Sequence, residues 1–530
     1  MKNIRNIATI IATITAFCVS CNKDEHSTQI TSDLDGIKGD KTEEFHIGRK
    51  LDNPYTVENM ERAQDSLLRI GQLKDPIDIH PTHLYVQMYP SDSADLNKIL
   101  EDTTLHLFPY PLDYEIEGEG SFEVNEGDTP EVYTVVPVGY DIPIKHRVID
   151  ECYIPTNYDD PSTVTLEIGS LIRTGNMTDE EMKDLFSTKA LLKYPKGHVR
   201  VWNTESSQNE GVRKVRVYTR KIVKIASAYT NDNGYYSISR GYLCNPHYAV
   251  VFENKTGFKI WGNIGPLTPA IHNVGKHSRN GYDITIGRNS QAWPWATINN
   301  AALLYRTVFA PHFGVTNTPG NLRFWYIDRH SSLGSASAPM LRQVSGYTSS
   351  QVTKWLRAFG VSTTTSYFVG GILWCAMQLC PDILVMNNSS TSTRDLQATI
   401  FHEMSHASHY SKVGSAYWLN YIGQICLNMG YGNSYNGTNG IIGVGEMWGD
   451  YFGKKCLNFH YGTNSSCTNS HWFKPQILAD IDNQLPDVGP AQIHSVMGTS
   501  VTNPSNFKSA LISQWGHSEV ITQCFGNHGF

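Results

Sequence analysis

The sequence predicts a multidomain protein of mixed α and β structure, and three observations carry that reading. The chain has 530 residues, and a single hydrophobic core stops growing at about 250–300 residues, so several domains are needed. Hydrophobic periodicity changes character along the chain: helical and strand-like segments alternate over 53–198, short alternating strands take over at 199–264, and both kinds mix again over 265–530. The composition, 40% hydrophobic and 11% aromatic, suits packed cores and not a disordered chain.

In order from the N-terminus, Lys2 and Arg5 precede an apolar run from Ile7 to Phe17 broken by Thr9, Thr13 and Thr15. The run is shorter than the roughly 20 residues a spanning helix needs, and its layout is that of an export signal over residues 1–20. Residues 21–52 are polar, charged or glycine without periodicity, which predicts a flexible tether. In the accessory region 53–198, Met60, Ala63, Leu67 and Leu68 fall near helical spacing over 56–70, while 83–89 and 133–137 read as strands. Glu115, Glu117 and Glu119 alternate there with Ile116, Gly118 and Gly120, the pattern of a solvated strand face or loop and not of a catalytic pair.

Over 199–264, Val212, Val215 and Val217 and then Ile222 and Ile225 precede Asn231-Asp232-Asn233-Gly234. Asn-Gly between alternating strands predicts a hairpin, because both residues take positive φ at low cost, and a small all-β sandwich follows. A calcium loop is not supported, since the rest of a twelve-residue ligand frame is missing. In 265–530, helical periodicity covers 295–309, strands are expected at 321–328 and 382–387, and the Gly- and Asn-rich stretch 429–445 predicts a long loop.

Charge and cysteine content narrow the function. With 43 Lys+Arg against 50 Asp+Glu, a net charge of -7 and no basic stripe, nothing neutralises phosphates, so a nucleic-acid binder is excluded. Eight cysteines follow Cys21; an even number in an exported chain permits disulfides, with Cys375/Cys380 and Cys456/Cys467 close in sequence. None forms a Cys-x-x-Cys pair, so a cysteine zinc site has no support.

Chemistry concentrates in one segment. Ser392 and Asp395 read as a capping pair, after which Leu396, Ile400, Met404 and Ala407 share one helical face. On that helix lies His402-Glu403-Met404-Ser405-His406. Residues four apart stand one turn apart on the same side, so both imidazoles can reach one ion while Glu403 faces a water bound to it. A metzincin arrangement fails, because His409 and Lys412 stand where that class has Gly and His. His409 shares the face but lies one turn too far along the axis to close a tetrahedron, and is read as cleft-lining or exposed. Downstream, Glu446 and Asp450 are also four apart, with Gly445, Gly449 and Gly453 beside them to allow close helix approach.

The sequence carries four resemblances. His402-Glu403-x-x-His406 followed by Glu446-x-x-x-Asp450 resembles the gluzincin, thermolysin-like metallopeptidases. The resemblance implies an α+β zincin-like catalytic domain over 265–530, with one zinc on His402, His406 and Glu446. It further implies Glu403 as general base and Asp450 accepting a hydrogen bond from His402. The 39 residues between His406 and Glu446 exceed the thermolysin spacing, no Gly-Ala-Met-Glu-Asn motif is present, and the transition-state donor stays open among His471, His494, His517 and Tyr461. By position alone, the strand at 381–387 would bind substrate backbone. The segment 211–236 resembles a carboxypeptidase regulatory-like, transthyretin-type domain. Cys18-Val19-Ser20-Cys21 resembles a bacterial lipoprotein box, with Cys18 where that family mostly has Leu, which implies lipidation at Cys21. Asn22-Lys23-Asp24-Glu25 is similar to the surface-display signal of Bacteroidetes-type lipoproteins.

The expectation is an outer-membrane lipoprotein exposed on the cell surface that hydrolyses extracellular peptides or proteins with zinc. Two rivals stay open: a surface-anchored binding or adhesion protein with a peptidase-like fold, and a zinc hydrolase of a non-peptide bond. The intact Glu403 argues against the first, since zinc binding alone does not require it.

Overall fold

A computed structural model describes residues 45–122, 131–187, 191–262, 267–328, 335–344, 347–358, 377–387, 391–435, 437–468 and 472–530. The expected signal, most of the tether, Cys21, Cys375 and His471 lie outside the described residues. Within them the chain is multidomain, of mixed α and β content, with several sheets.

The N-terminal region contains β1 (His46–Lys50), α1 (Val57–Arg69), β2 (His83–Met88), α2 (Ser93–Glu101), β3 (Tyr114–Glu117), β4 (Val132–Pro137), β5 (His146–Cys152), α3 (Pro161–Arg173) and α4 (Asp179–Ser187). Helix α1 starts where the Thr56 hydroxyl accepts the Asn59 amide, one of the donors a helix start leaves orphaned. Met60, Ala63 and Leu67 are buried, as their spacing predicts. Strand β2 lies between β4 and β5, antiparallel to both, and β1 pairs with β3. In β3 Ile116 is buried and Glu117 exposed, so these acids do lie on a solvated edge.

Next come β6 (Lys196–Asn203), β7 (Gln208–Gly211), β8 (Val215–Lys221), β9 (Lys224–Tyr229), β10 (Tyr235–Ser237), β11 (His247–Asn254), β12 (Lys259–Trp261), β13 (Ile271–Lys276) and β14 (Ile284–Ile286). The expected Asn233-Gly234 hairpin is not formed. Oδ1 of Asn231 accepts the amides of Asn233 and Tyr235 at 2.9 and 3.0 Å, only Gly234 of the pair takes positive φ (79°), and β10 pairs with β6 instead of β9. The turn therefore carries the chain from one sheet to another. The tight hairpin is β8–β9, closed by Ile222 and Val223 with Ile222 at φ 50°. A β-branched residue strains at that φ, and burial of both tip residues in the apolar cluster of the N-terminal region outweighs the strain.

The strands also cross the boundary expected at 264. With β15 (Arg323–Asp328), β16 (Ser335–Ser337) and β17 (Ile383–Asn387), one sheet runs β16-β17-β15-β12-β11-β8-β9, and β13 joins it on β11. Strand β14 pairs with β6 in a second sheet, so three strands beyond residue 265, β13, β14 and β15, pair with strands before it. Strand periodicity reports which face is buried, and it carries no information on which neighbour supplies the hydrogen bonds. Strands β12, β15 and β17 are parallel, while β16 is antiparallel and forms the edge. The strand at 381–387 therefore lies one place inside the edge.

Among the described residues, the longer helices of the C-terminal half are α5 (Trp293–Leu304), α6 (Ser349–Ala358), α7 (Thr393–Leu427), α8 (Gly440–Tyr461), α9 (Gln476–Gln484), α10 (Pro490–Val496), α11 (Pro504–Trp515) and α12 (Ser518–Gly526). Helix α5 continues as one π-helical stretch, Tyr305–Phe309, so the helical run expected at 295–309 is realised in two forms. Helix α7 is broken at Gly414, whose φ of 76° and ψ of -175° no helix contains. Helix α8 takes in residues 440–445 of the expected loop, because their glycines serve close contact: a Cβ on Gly443 would lie 2.1 Å from the Tyr435 ring. No helix among the described residues is long and apolar enough to cross a membrane. Cys456 and Cys467 are both free thiols, so the pairing their spacing allows is not made.

An ion pair ties the N-terminal region to the large sheet. Lys224 Nζ on β9 lies 2.9 Å from Glu167 Oε1 on α3, with both side chains fully buried. The hydroxyls of Tyr55 and Tyr158 donate to the two oxygens of Glu167 at 2.7 and 2.6 Å, so the carboxylate is fully partnered away from water.

Candidate metal centre

Helix α7 begins at Ser392, whose hydroxyl accepts the Asp395 amide while the Asp395 carboxylate accepts from Ser392, a complete capping box. Ten residues on, His402 and His406 project from one side, as a four-residue spacing requires. Helix α8 crosses them with its glycines against the histidines. A Cβ on Gly449 would lie 2.9 Å from Cε1 of both imidazoles, and one on Gly453 would lie 2.9 Å from the backbone N and Cα of His402. The indole of Trp448 donates to the Ser405 carbonyl at 3.0 Å and pins the two helices together.

This contact brings the expected acids to the histidines. Nε2 of His402 and Nε2 of His406 stand 2.9 Å apart; Oε2 of Glu446 is 3.3 Å from the first, and Oε1 is 3.5 Å from the second. All three candidate ligand atoms fall within 4.8 Å of one another. Nδ1 of His402 donates to Oδ1 of Asp450 at 3.1 Å, which sets the tautomer and leaves Nε2 facing the cluster. Burial alone would lower the pKa of His402, but hydrogen bonds to Asp450 and Glu446 hold it well above the usual imidazole value. Burial likewise opposes ionisation of Glu446, and the two histidines win, holding it well below the usual carboxylate range.

Glu403 is buried beside the cluster and takes no part in it. Its Oε2 has no hydrogen-bond partner among the described residues, and burial, against the pull of His402 and His406, raises its pKa to about 7. Nδ1 of His406 is also buried without a partner. Two imidazole nitrogens aimed at one carboxylate, with a carboxyl poised at neutral pH alongside, form a donor set that fits a divalent cation of zinc type. His402, His406 and Glu446 would hold it, and Glu403 would remain free of it.

The other expected residues fall elsewhere. His409 is neither cleft-lining nor exposed: it is fully buried between the rings of Tyr417 and Trp418, at 5.2 and 5.7 Å, with both ring nitrogens unpartnered. Of the donor candidates, His494 is buried against Trp448 with ring centroids 4.9 Å apart, and His517 is exposed and bonded to Asp487 at 2.8 Å. The Tyr461 hydroxyl is bonded to Gln397 at 2.6 Å. Phe473 is core, whereas Trp472 and Trp515 are half-buried.

Two tyrosines beside the site are not signalled by any motif. The Tyr421 hydroxyl donates to Oε1 of Glu446. Tyr431, between Gly430 and Gly432 at positive φ, has its phenol pKa held well above the usual value by burial and then by Glu446, Glu403 and Asp450. Neither lies at helical spacing from the histidines, so only their position in space marks them.

No protein-family model matches the chain, and no curated protein matches it.

Proposed function

We propose that the chain is a zinc metallopeptidase of gluzincin type acting on extracellular peptides or proteins. The observation that carries the reading is the convergence of His402, His406 and Glu446 from two helices, with the unpartnered carboxyl of Glu403 beside them. Held by His402, His406 and Glu446, a zinc ion would supply an electrophile for the scissile carbonyl and would activate a water. The protein's own groups do the rest. Glu403, buried beside the cluster and not engaged by it, is placed to accept a proton and return it to the leaving amine. Asp450 keeps Nδ1 of His402 protonated and its Nε2 directed inward.

The antiparallel edge strand β16 supports a peptide substrate in particular, because its outer backbone groups can pair with an extended chain. It lies against the helix carrying the histidines: the indole of Trp418 donates to the Ala338 carbonyl just beyond the strand at 2.9 Å. On this reading the zincin-type part is not confined to 265–530, since its sheet takes in β8, β9, β11 and β12 of the 199–264 segment. Cys21 carries a lipid that displays the enzyme on the outer membrane. Loss of radiolabelled palmitate incorporation in Cys21→Ala tests the anchor.

The activity is tested on wild type, Glu403→Gln and Glu446→Ala by metal analysis and by mass spectrometry of a digested peptide library. Expected are one zinc in wild type and in Glu403→Gln, weakened or lost in Glu446→Ala, and cleavage in wild type alone. Stoichiometric zinc without cleavage in wild type would overturn the peptidase, and absence of zinc would overturn the metal centre.

A further inference from the structure

Helix α7 would carry its second half away from the cluster if it ran straight, since each residue adds about 1.5 Å along the axis. The break at Gly414 turns it back instead. Tyr417 and Trp418 then lie against His409, Trp418 against His406 at 6.3 Å, and Tyr421 against His406 at 5.9 Å between ring centroids. Tyr421 is buried and its ring sits over Gly445, where a Cβ would come within 2.6 Å of it. No other residue type at 445 leaves that ring in place. The hydroxyl so positioned donates to Oε1 of Glu446, the oxygen 3.5 Å from Nε2 of His406, while Oε2 lies 3.3 Å from Nε2 of His402.

We propose that Tyr421 is a positioning residue that occupies Oε1 of Glu446 and leaves Oε2 as the oxygen presented to a bound cation. The inference rests on the metal reading of the cluster and deepens it. A carboxylate with both oxygens free can turn to offer both to one ion; one oxygen engaged by a buried phenol fixes the ring of donors as two nitrogens and one oxygen. That keeps a position open for water or substrate, which a catalytic site requires and a closed structural site lacks. It also explains why the break at Gly414 and the glycine at 445 occur together, since either change alone would remove the phenol from the carboxylate.

The test uses the full-length chain as wild type, Tyr421→Phe and Tyr417→Phe, measuring zinc affinity by competition with a chelator and the visible spectrum of the cobalt(II)-loaded protein. Tyr417 donates to the Val501 carbonyl at 2.9 Å and touches no ligand, so its variant reports loss of one buried hydrogen bond alone. Expected is a zinc affinity about 10- to 100-fold weaker in Tyr421→Phe, the range for losing a partner of a metal ligand. The cobalt spectrum should change towards higher coordination in that variant, and Tyr417→Phe should match wild type in both readouts. Wild-type affinity and spectrum in Tyr421→Phe would overturn the inference and leave the metal centre standing. Equal weakening in both variants would also overturn it, as a general loss of stability. A wild type that binds neither zinc nor cobalt would overturn the metal reading and this inference with it.

Discussion

Gly449→Ala is the substitution on which the described geometry is most exposed. The added methyl carbon would lie 2.9 Å from Cε1 of both His402 and His406 and from Nε2 of His406. Carbon atoms in favourable contact are about 3.5–4.0 Å apart, so the imidazoles must withdraw by roughly 0.6 Å or the helices must part by that much. Ligand positions in a metal site tolerate only about 0.2 Å. The displacement exceeds that tolerance about threefold, and both nitrogens move in the same direction, away from Glu446. Zinc affinity should therefore fall at least about 10- to 100-fold, the loss seen when ligand placement is disturbed. The fold should survive, because Ala gains about 1 kcal/mol over Gly in a helix interior and offsets part of the overlap. The assay is zinc competition with a chelator beside circular dichroism and thermal melting. Gly423→Ala is the control, since nothing lies within 4 Å of the added carbon on the second half of the same α7 helix. Unchanged zinc affinity in Gly449→Ala would refute the contact of α8 with the two histidines, and with it the donor set.

Three further outcomes are expected. Asp450→Asn removes the charged acceptor on Nδ1 of His402, so zinc affinity should fall about 10- to 100-fold while circular dichroism stays that of wild type; an equal affinity would count against the tautomer assigned to His402. Lys224→Met strands the buried carboxylate of Glu167 and should cost about 3–5 kcal/mol in denaturant unfolding, with Lys224→Met/Glu167→Gln recovering much of it; a single variant as stable as wild type would contradict the burial of the pair. His272 on β13 is buried, and burial lowers its pKa from 6.5 to about 4. The unfolded chain then binds a proton that the folded one refuses between those values, so this group's stability is full above pH 6.5 and lost as pH falls through about 4. Wild type should lose about 3 kcal/mol more than His272→Phe between pH 7 and 4 in urea titrations; parallel profiles would refute the shift.

The candidate site was largely legible because its spacing encodes local geometry. Four-residue steps place His402 with His406 and Glu446 with Asp450 on single helix faces whatever surrounds them, and the Ser392 capping pair marks where the first helix starts. The glycine repeat at 445, 449 and 453 was likewise legible as a surface for close approach, and His402, His406 and Tyr421 are what it approaches. His409 shows the limit of the same logic. Its helix face is fixed by spacing, but its burial depends on the second half of α7, which Gly414 folds back over it.

Longer-range features could not be read in the same way. The strands at 199–264 alternate as sandwich strands do, yet β11 and β12 continue into β15, β17 and β16 as one sheet. Asn233-Gly234 is a turn, as its residue types require, but it joins two sheets and not two strands of one hairpin. By itself the sequence determined the elements whose information lies within a few turns or residues: the capped helix with its histidines, the acid pair, the buried faces of the strands. Tertiary structure alone decided which strands share a sheet, that Tyr421 reaches Glu446, and that Glu403 is left buried without a partner. The physical reason is that backbone periodicity is set by neighbours along the chain, whereas partners 25 or more residues apart are chosen by how whole faces pack, which no local pattern states.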